Sequence, residues 1–583
     1  MEVVTENLMF SNNNELKQWR RDTVERILDF CNEKEIRVTY GAVAEVIEVI
    51  PHSVGNDLGA PSKRSSWIVR KDNHESSGYL PNQIHENLFN NQKVIECGKE
   101  LIVELKTSGF ELRQKPEEKI RYISTRGKSP PLDFEGVLLS GLAPDGGLYV
   151  PNRWPKFNKI KMEQLSGASY VDIAFTIIRP FTGSTFTDET LKSLIDDAYG
   201  HIHHQAKCPL VQLGDNLFLC ELFHGPTLAF KDFALQLASR MFDHVLTRSN
   251  TTCTILGATS GDTGSSAIEA FRGLDAVDMF ILYPKGKVSD IQRKQMTTPS
   301  DVNVHAIAVE GNFDDCQALV KELFGDAAFR QQLNLAAINS INWARIVAQI
   351  VYYFYSGISL GAPQREVSFV VPTGNFGDVY AGYCAKKMGL PIKQLAIATN
   401  QNDILCRTLE TGQYKLEEVI PSISPSMDIQ VSSNFERVLF DAGNRNSENI
   451  VDKMQSLQGG GFDLTRDEQN YLQSHFIAGS CSEEETMEEI QNTYNSSGQI
   501  ICPHTAVGVK IARGLDQSSG EAVVSLATAH PAKFPDAVEA ACGVNPALPV
   551  ALGKKLERPE RIAGIDNSAE KLKEYIRYKV RGL

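Results

Sequence analysis

The chain has 583 residues, 42% of them hydrophobic and 22% charged, with 72 acidic against 59 basic side chains and a net charge of −13. That length exceeds what one core organises and gives a multidomain globular protein. The acidic balance argues against a protein built chiefly to bind nucleic acid or anionic membrane, and no apolar run approaches the ~18–20 residues that span a bilayer.

The opening stretch, "MEVVTENLMFSNNNELKQW", is polar and acidic and carries neither a signal-peptide apolar core nor an Arg-rich amphipathic pattern. The cysteines are scattered without a C-x-x-C pair, as expected of reduced thiols in a cytoplasmic protein. Residues 15–33 are expected as a helix. "VTYGAVAEVIEVI" gives a second short helix after Gly41, because Val43, Val46, Ile47 and Ile50 fall on one helical face. After the loop "SVGNDLGAPSKRSS", the segments "SWIVRK" and "ECGKELIVEL" read as short strands or wing-like elements. The polar, charged stretch "TSGFELRQKPEEKIR" (107–121) contains the linker, so the expected domains are 1–112 and 121–583 with a link over 113–120.

Beyond Arg121, short β-branched runs ("TTCTILGA", "VDMFILYP", "VNVHAIAV", "VSFVVPTG", "QLAIATN", "EAVVSLAT") alternate with amphipathic stretches. That alternation predicts an α/β body with parallel sheets covered by helices and ligands at the carboxyl ends of strands. In "ELFHGPTLAFKDFALQLASRMF" (221–242) a helix carries Leu237, Ala238, Met241 and Val245 on one face, and Lys231 stands at its start after Gly225-Pro226. A cation there faces the positive end of the helix dipole. Either it snorkels to solvent, or it is an amine whose ammonium form is meant to be disfavoured.

Further along, "TILGATSGDTGSSAIEAF" runs from a strand through Thr259, Ser260, Gly261, Asp262, Thr263 and Gly264 into a helix. This is either an ordinary capped turn or an anion site built from backbone amides. "VSFVVPTGNFGDVYAGYCAKKMG" repeats the arrangement: a strand ends at Pro372, Gly374-Asn375-Phe376-Gly377 turns, and a helix starts near Val379. Two glycines flanking Asn-Phe make a phosphate cradle, and the missing Walker lysine excludes a nucleoside triphosphate with magnesium. The histidines of "HIHHQAKC" (201–208) are followed by no partnering Cys or Asp cluster and read as solvated, so no metal is expected. Cys316 sits where a helix start favours a thiolate, but its expected role is a small core residue.

These motifs in this order, "FHGPTLAFKDF", "TSGDTG", "NSINWARI" and "PTGNFGD", resemble those of threonine synthase in its longer, yeast and enteric form. The resemblance covers 122–583, including "YISTRG", "FEGVLLSGLAPDGGLYVP", "CPHTAVG" and "TAHPAKF". It implies a pyridoxal 5'-phosphate enzyme of fold type II, with two subdomains, converting O-phospho-L-homoserine and water to L-threonine and phosphate. Lys231 would form the Schiff base, and Gly374, Asn375, Phe376 and Gly377 would hold the cofactor phosphate. Thr505 would face the pyridine nitrogen. Thr259, Ser260, Gly261, Asp262 and Thr263 would grip the substrate carboxylate, and Ser340, Asn342 and Arg345 its phosphate. Asn342 and Ser340 also suit plain helix capping.

Residues 21–104 resemble, through "RVTYGAVAEVIEVIPHSVGNDLG" and "SSWIVRKDNHESSGYLPNQIHENL", the winged-helix domain of alkyltransferase-like proteins. That implies a small α+β module able to meet DNA, with Tyr40 as a wedge. No cysteine stands near Ser65, Ser66 and Trp67, and Cys31 and Cys97 lie elsewhere, so alkyl transfer is not expected. His52 replaces an intercalating arginine. Acidic residues outnumber basic ones over 1–115, and Lys63, Arg64, Arg70 and Lys71 make the single basic patch. Two other readings stand beside the synthase: a phospho-lyase releasing a 2-oxo acid, and a DNA-binding or repair-linked protein using the synthase body as a scaffold.

Overall fold

In a computed structural model the described residues are 2–47, 49–110, 112, 119–259, 261–336, 340–515 and 520–581. They fall into two compact units, Met1–Lys119 and Ile120–Leu583.

In the first unit a long helix, Glu2–Lys34, is followed by the helix Tyr40–Ile47. The buried face of the second is Ala42, Val43, Ala44 and Ile47. Ile50, expected on that face, is 67% exposed, because Pro51 opens a separate 3-10 turn. Three very short strands, Arg37–Thr39, Ile68–Val69 and Val94–Ile95, pair only in parallel, so an antiparallel wing is not among the described elements. "ECGKELIVEL" also departs from the strand expectation: Gly98–Thr107 is a helix burying Leu101 and Leu105. Those leucines stand four apart, a helical repeat hidden within a short β-branched run. Trp67 is buried and donates from Nε1 to the Asn32 side chain at 3.1 Å.

The second unit contains two main sheets. One is wholly parallel, in the order Leu335–Ala336, Cys253–Ala258, Val277–Pro284, Val304–Val309, Ala563–Ile565. The other runs Ile477–Ser480, Ile392–Thr399, Val367–Pro372, Ala522–Ala527, Leu217–Glu221, Leu210–Gln212, and is parallel except at its last pair. Every residue of Val277–Pro284, Val367–Pro372 and Ala522–Ala527 is buried, as strands covered by helices on both faces require. The helix Trp343–Ser359 is apolar nearly all round and correspondingly central. Both glycine-rich loops leave the carboxyl ends of strands, one in each sheet. No described helix is long and apolar enough to cross a membrane.

Candidate active site

Lys231 is the first residue of the helix Lys231–Arg248. The approach is tight, with Leu228 in the left-handed region at φ 61°. The lysine side chain is 12% exposed and its Nζ stands 3.7 Å from Asp262 Oδ2. Burial holds its pKa below the ordinary lysine range; Asp262 opposes that shift, while Lys533 and Arg345 add to it. The snorkelling alternative is thereby excluded.

The Thr259 loop is folded by its own hydroxyl, which accepts from the amides of Gly261 at 3.0 Å and Gly264 at 2.9 Å. Gly261 has φ 144°, and a Cβ there would meet the Gln292 side chain at 2.4 Å, so no other residue fits. Asp262 starts the following helix and Thr263 is half-buried beside it; Ser260 lies outside the described residues. Burial alone would raise the Asp262 carboxyl, yet Lys533 and Lys231 together hold it far below the usual carboxylate range. Gln292 Nε2 donates to its Oδ1 at 3.0 Å.

The loop expected to cradle a phosphate begins at Gly374, where an added Cβ would sit 2.5 Å from the Ser426 carbonyl oxygen. Phe376 takes the left-handed conformation at φ 62°, and the helix starts at Gly377, two residues before Val379. Among the described residues, none of the amides from Gly374 to Val379 donates to a protein acceptor, which leaves a row of donors for an anion. The carbonyl of Asn375 is held by Asn434, through its amide at 3.1 Å and its Nδ2 at 2.9 Å. That same Nδ2 reaches the Ser340 carbonyl at 3.3 Å. Asn434 thus ties the cradle to the loop before Trp343–Ser359, and Arg437 secures both by donating to Asn434 Oδ1 and, at 2.6 Å, to the Ile341 carbonyl.

In that loop Asn342 caps the helix, its Oδ1 accepting from Ala344 N at 2.9 Å, and its Nδ2 donates to the Leu138 carbonyl at 2.9 Å. Its side chain is therefore committed to shaping the turn. Arg345 is different. It is 4% exposed, its guanidinium makes no hydrogen bond among the described residues, and its Nη1 is buried without a partner. Burial lowers its pKa to about 10.

Thr505 lies in the first turn of Pro503–Arg513, its hydroxyl 3.2 Å from Cys502 Sγ. Next to it, His504 Nε2 accepts from Ser426 N at 3.2 Å, while Nδ1 is buried and unpartnered. Burial lowers this imidazole to about 4, so it is neutral. Asp378, just past the cradle, accepts from the hydroxyls of Tyr352 at 2.5 Å and Tyr353 at 2.9 Å, with Oδ2 buried and free. Burial raises it to about 6. Sequence reasoning passed over Asn434 and Arg437. Lys533, His504 and Asp378 stood inside quoted motifs and were not singled out.

Elsewhere, Cys316 is buried and its thiol is raised to about 11 by burial, a core residue rather than a thiolate. Among the described residues no cluster of three or more His, Cys, Asp or Glu is placed to hold a metal; the His204 ring lies tilted against His224, centroids 4.8 Å apart. In the first unit Arg64 pairs with Glu25 and Asp29, Arg70 with Asp72, and Lys71 with Glu96 at 3.8 Å. Three of the four residues of the basic patch are thus matched by acids. Tyr40 opens the helix Tyr40–Ile47, and His52 is exposed in the turn that follows.

A buried amine at a helix start and a row of open amides beginning a second helix, set among parallel sheets, accord with what comparisons with known proteins show, a pyridoxal-phosphate-dependent enzyme. The family model "Pyridoxal-phosphate dependent enzyme" matches residues 204–529. The models "Threonine synthase N terminus" and "Threonine synthase, C-terminal" match 121–199 and 505–576. Threonine synthase of Pseudomonas aeruginosa is 50% identical over 460 residues, 78% of this chain and 98% of its own. That of Saccharomyces cerevisiae is 45% identical over 452 residues, 72% and 88% of the two chains. The crystal structure of PLP-bound threonine synthase from Brucella melitensis superposes with a TM-score of 0.78 at 52% identity, covering 80% of this chain and all of that one. The chain belongs to the threonine synthase family, and it is a pyridoxal-phosphate-dependent lyase.

Proposed function

We propose that the second unit converts O-phospho-L-homoserine and water into L-threonine and phosphate, with Lys231 as its catalytic residue. The observation that carries the phosphorylated substrate is Arg345, a buried guanidinium with an open Nη1 near an already separate phosphate cradle. Two anion sites suit a reaction in which cofactor and substrate each bring a phosphate.

The residues fit the cofactor: the amides from Gly374 to Gly377 offer donors to its phosphate, Thr505 offers a neutral hydroxyl, and Lys231 a desolvated amine. When bound, pyridoxal phosphate supplies an electron sink for charge developing on the substrate's carbon chain. Lys231 Nζ anchors the cofactor between turnovers and, once released, takes the proton from the substrate Cα. The Thr259–Thr263 loop and the start of the helix Asp262–Phe271 hold the α-carboxylate. Arg345 holds the leaving phosphate through charge-assisted hydrogen bonds. Ser340 and Asn342 shape the turn that presents Arg345.

Product analysis tests the assignment. Phosphate and threonine released in equal amounts support it; phosphate with a 2-oxo acid would make the protein a phospho-lyase. For the first unit, the ion pairing of Arg64, Arg70 and Lys71 favours a structural or partner-docking role over nucleic acid. A cytoplasmic location accords with cysteines that are all free thiols.

A further inference from the structure

No step above employs Lys533, yet this cation is fully enclosed, its side chain 0% exposed in the short turn Pro531–Lys533. Its Nζ is 2.7 Å from Asp262 Oδ1 and donates to the Thr227 carbonyl at 2.9 Å. The other oxygen of that carboxylate, Oδ2, faces Lys231 Nζ at 3.7 Å. Lysine, carboxylate and lysine therefore form one buried row. Gln292 on Asp262 Oδ1 and Gln295 on the Thr227 carbonyl (3.1 Å) fix its far end.

A lone carboxylate this close to a buried amine would hold it as an ammonium, which is useless as nucleophile or base. A second cation on the same carboxylate offsets most of that field. The other charged or titratable groups about Lys231 are Arg345 from the helix Trp343–Ser359, Asp232 on its own helix, Asp378 from Gly377–Met388 and His504 from Pro503–Arg513. Burial is the largest influence, and Lys533 stands next after Asp262.

We propose that Lys533 is a positioning residue for Lys231: by sharing Asp262, its buried cation keeps that carboxylate oriented and ionised without letting it lock Lys231 as an ammonium. This rests on Lys231 being the amine that bears the cofactor.

The test follows covalent attachment of pyridoxal phosphate to the full-length, cofactor-free chain from neutral to alkaline pH, trapped with borohydride and located by mass spectrometry. Lys533→Gln keeps a donor to Asp262 and the Thr227 carbonyl but removes the charge. It is expected to move the half-maximal pH upward by about one unit, a tenfold loss of free amine at fixed pH. Asp262→Asn is expected to move it downward, the double variant to return close to wild type, and Lys533→Arg to leave it in place. Should Asp262→Asn strand Lys533 and fail to fold, Lys533→Gln and Lys533→Arg carry the test, since Asp262 then keeps Gln292 and Lys231. A half-maximal pH unmoved by Lys533→Gln, or moved in the same direction by both single changes, overturns the proposal. Wild-type chain that attaches no cofactor at Lys231 would instead overturn the assignment of that lysine.

Discussion

Arg345→Met should make the cofactor-free protein more stable and the cofactor-loaded enzyme far less active. The guanidinium is 4% exposed with no acceptor among the described residues, and its pKa falls from 12.5 to about 10. A depression of that size corresponds to about 3 kcal/mol against the charged form in the folded chain. The cost is present in full at any pH below about 10 and is relieved only as the pH rises through that value. Methionine fills a similar volume without the charge, so most of that cost should be recovered, as when buried ion groups give way to apolar ones. Activity moves the other way. Losing one charge-assisted bond to a phosphate, worth about 1.5–3 kcal/mol, should lower kcat/KM by at least about tenfold, and losing two by more than about a hundredfold. Urea unfolding of the cofactor-free chain and initial-rate kinetics read the two effects separately. A variant less stable than wild type, or one within about tenfold of its activity, would refute the reasoning.

Arg437→Met should do the opposite to stability, although burial lowers this arginine to about 10 as well. Its donors are spent on the carbonyls of Tyr149 and Ile341 and on Asn434, so the change should cost about 3 kcal/mol in urea unfolding; a stabilised variant would contradict this. Gly374→Ala drives a Cβ to 2.5 Å from the Ser426 carbonyl and should weaken cofactor binding by at least about tenfold at a folding cost of ~1–3 kcal/mol, measured by fluorescence titration. Unchanged affinity would show that the cradle does not begin there. Asp378 holds its proton more tightly folded, at about 6, than at the ordinary 3.8. Its contribution to stability is therefore complete below about pH 4 and falls by about 3 kcal/mol as the pH rises through 6. Asp378→Asn should flatten the pH dependence of unfolding over that window, and an unaltered slope would count against a protonated carboxyl there.

The site was legible where chemistry depends on local sequence. Gly225-Pro226 before a helix placed Lys231 at a helix start, and strand–glycine–helix runs placed both glycine-rich loops at strand ends, because tight turns and close backbone approach demand particular residues nearby. What sequence reasoning missed depends on tertiary closure. Lys533 stands in a turn with no periodic signal, and only the folded chain shows that it meets Asp262. Asn434 and Arg437 carry no signal in the sequence, yet their donors bind loops far away along the chain. Asn342 answers its two readings with the capping one. In the first unit, the run around Ile102 and Val103 suggested a strand, and the four-residue spacing of Leu101 and Leu105 decided for a helix once both found a core. Short apolar runs carry both patterns.

The central claim is that water replaces phosphate on the carbon chain at the Lys231 site, and turnover of O-phospho-L-homoserine in heavy-oxygen water tests it most directly. The account predicts one heavy oxygen in the threonine hydroxyl, none in the released phosphate, and neither product from Lys231→Ala. Label in the phosphate would mean cleavage of the phosphorus–oxygen bond, and would contradict the account.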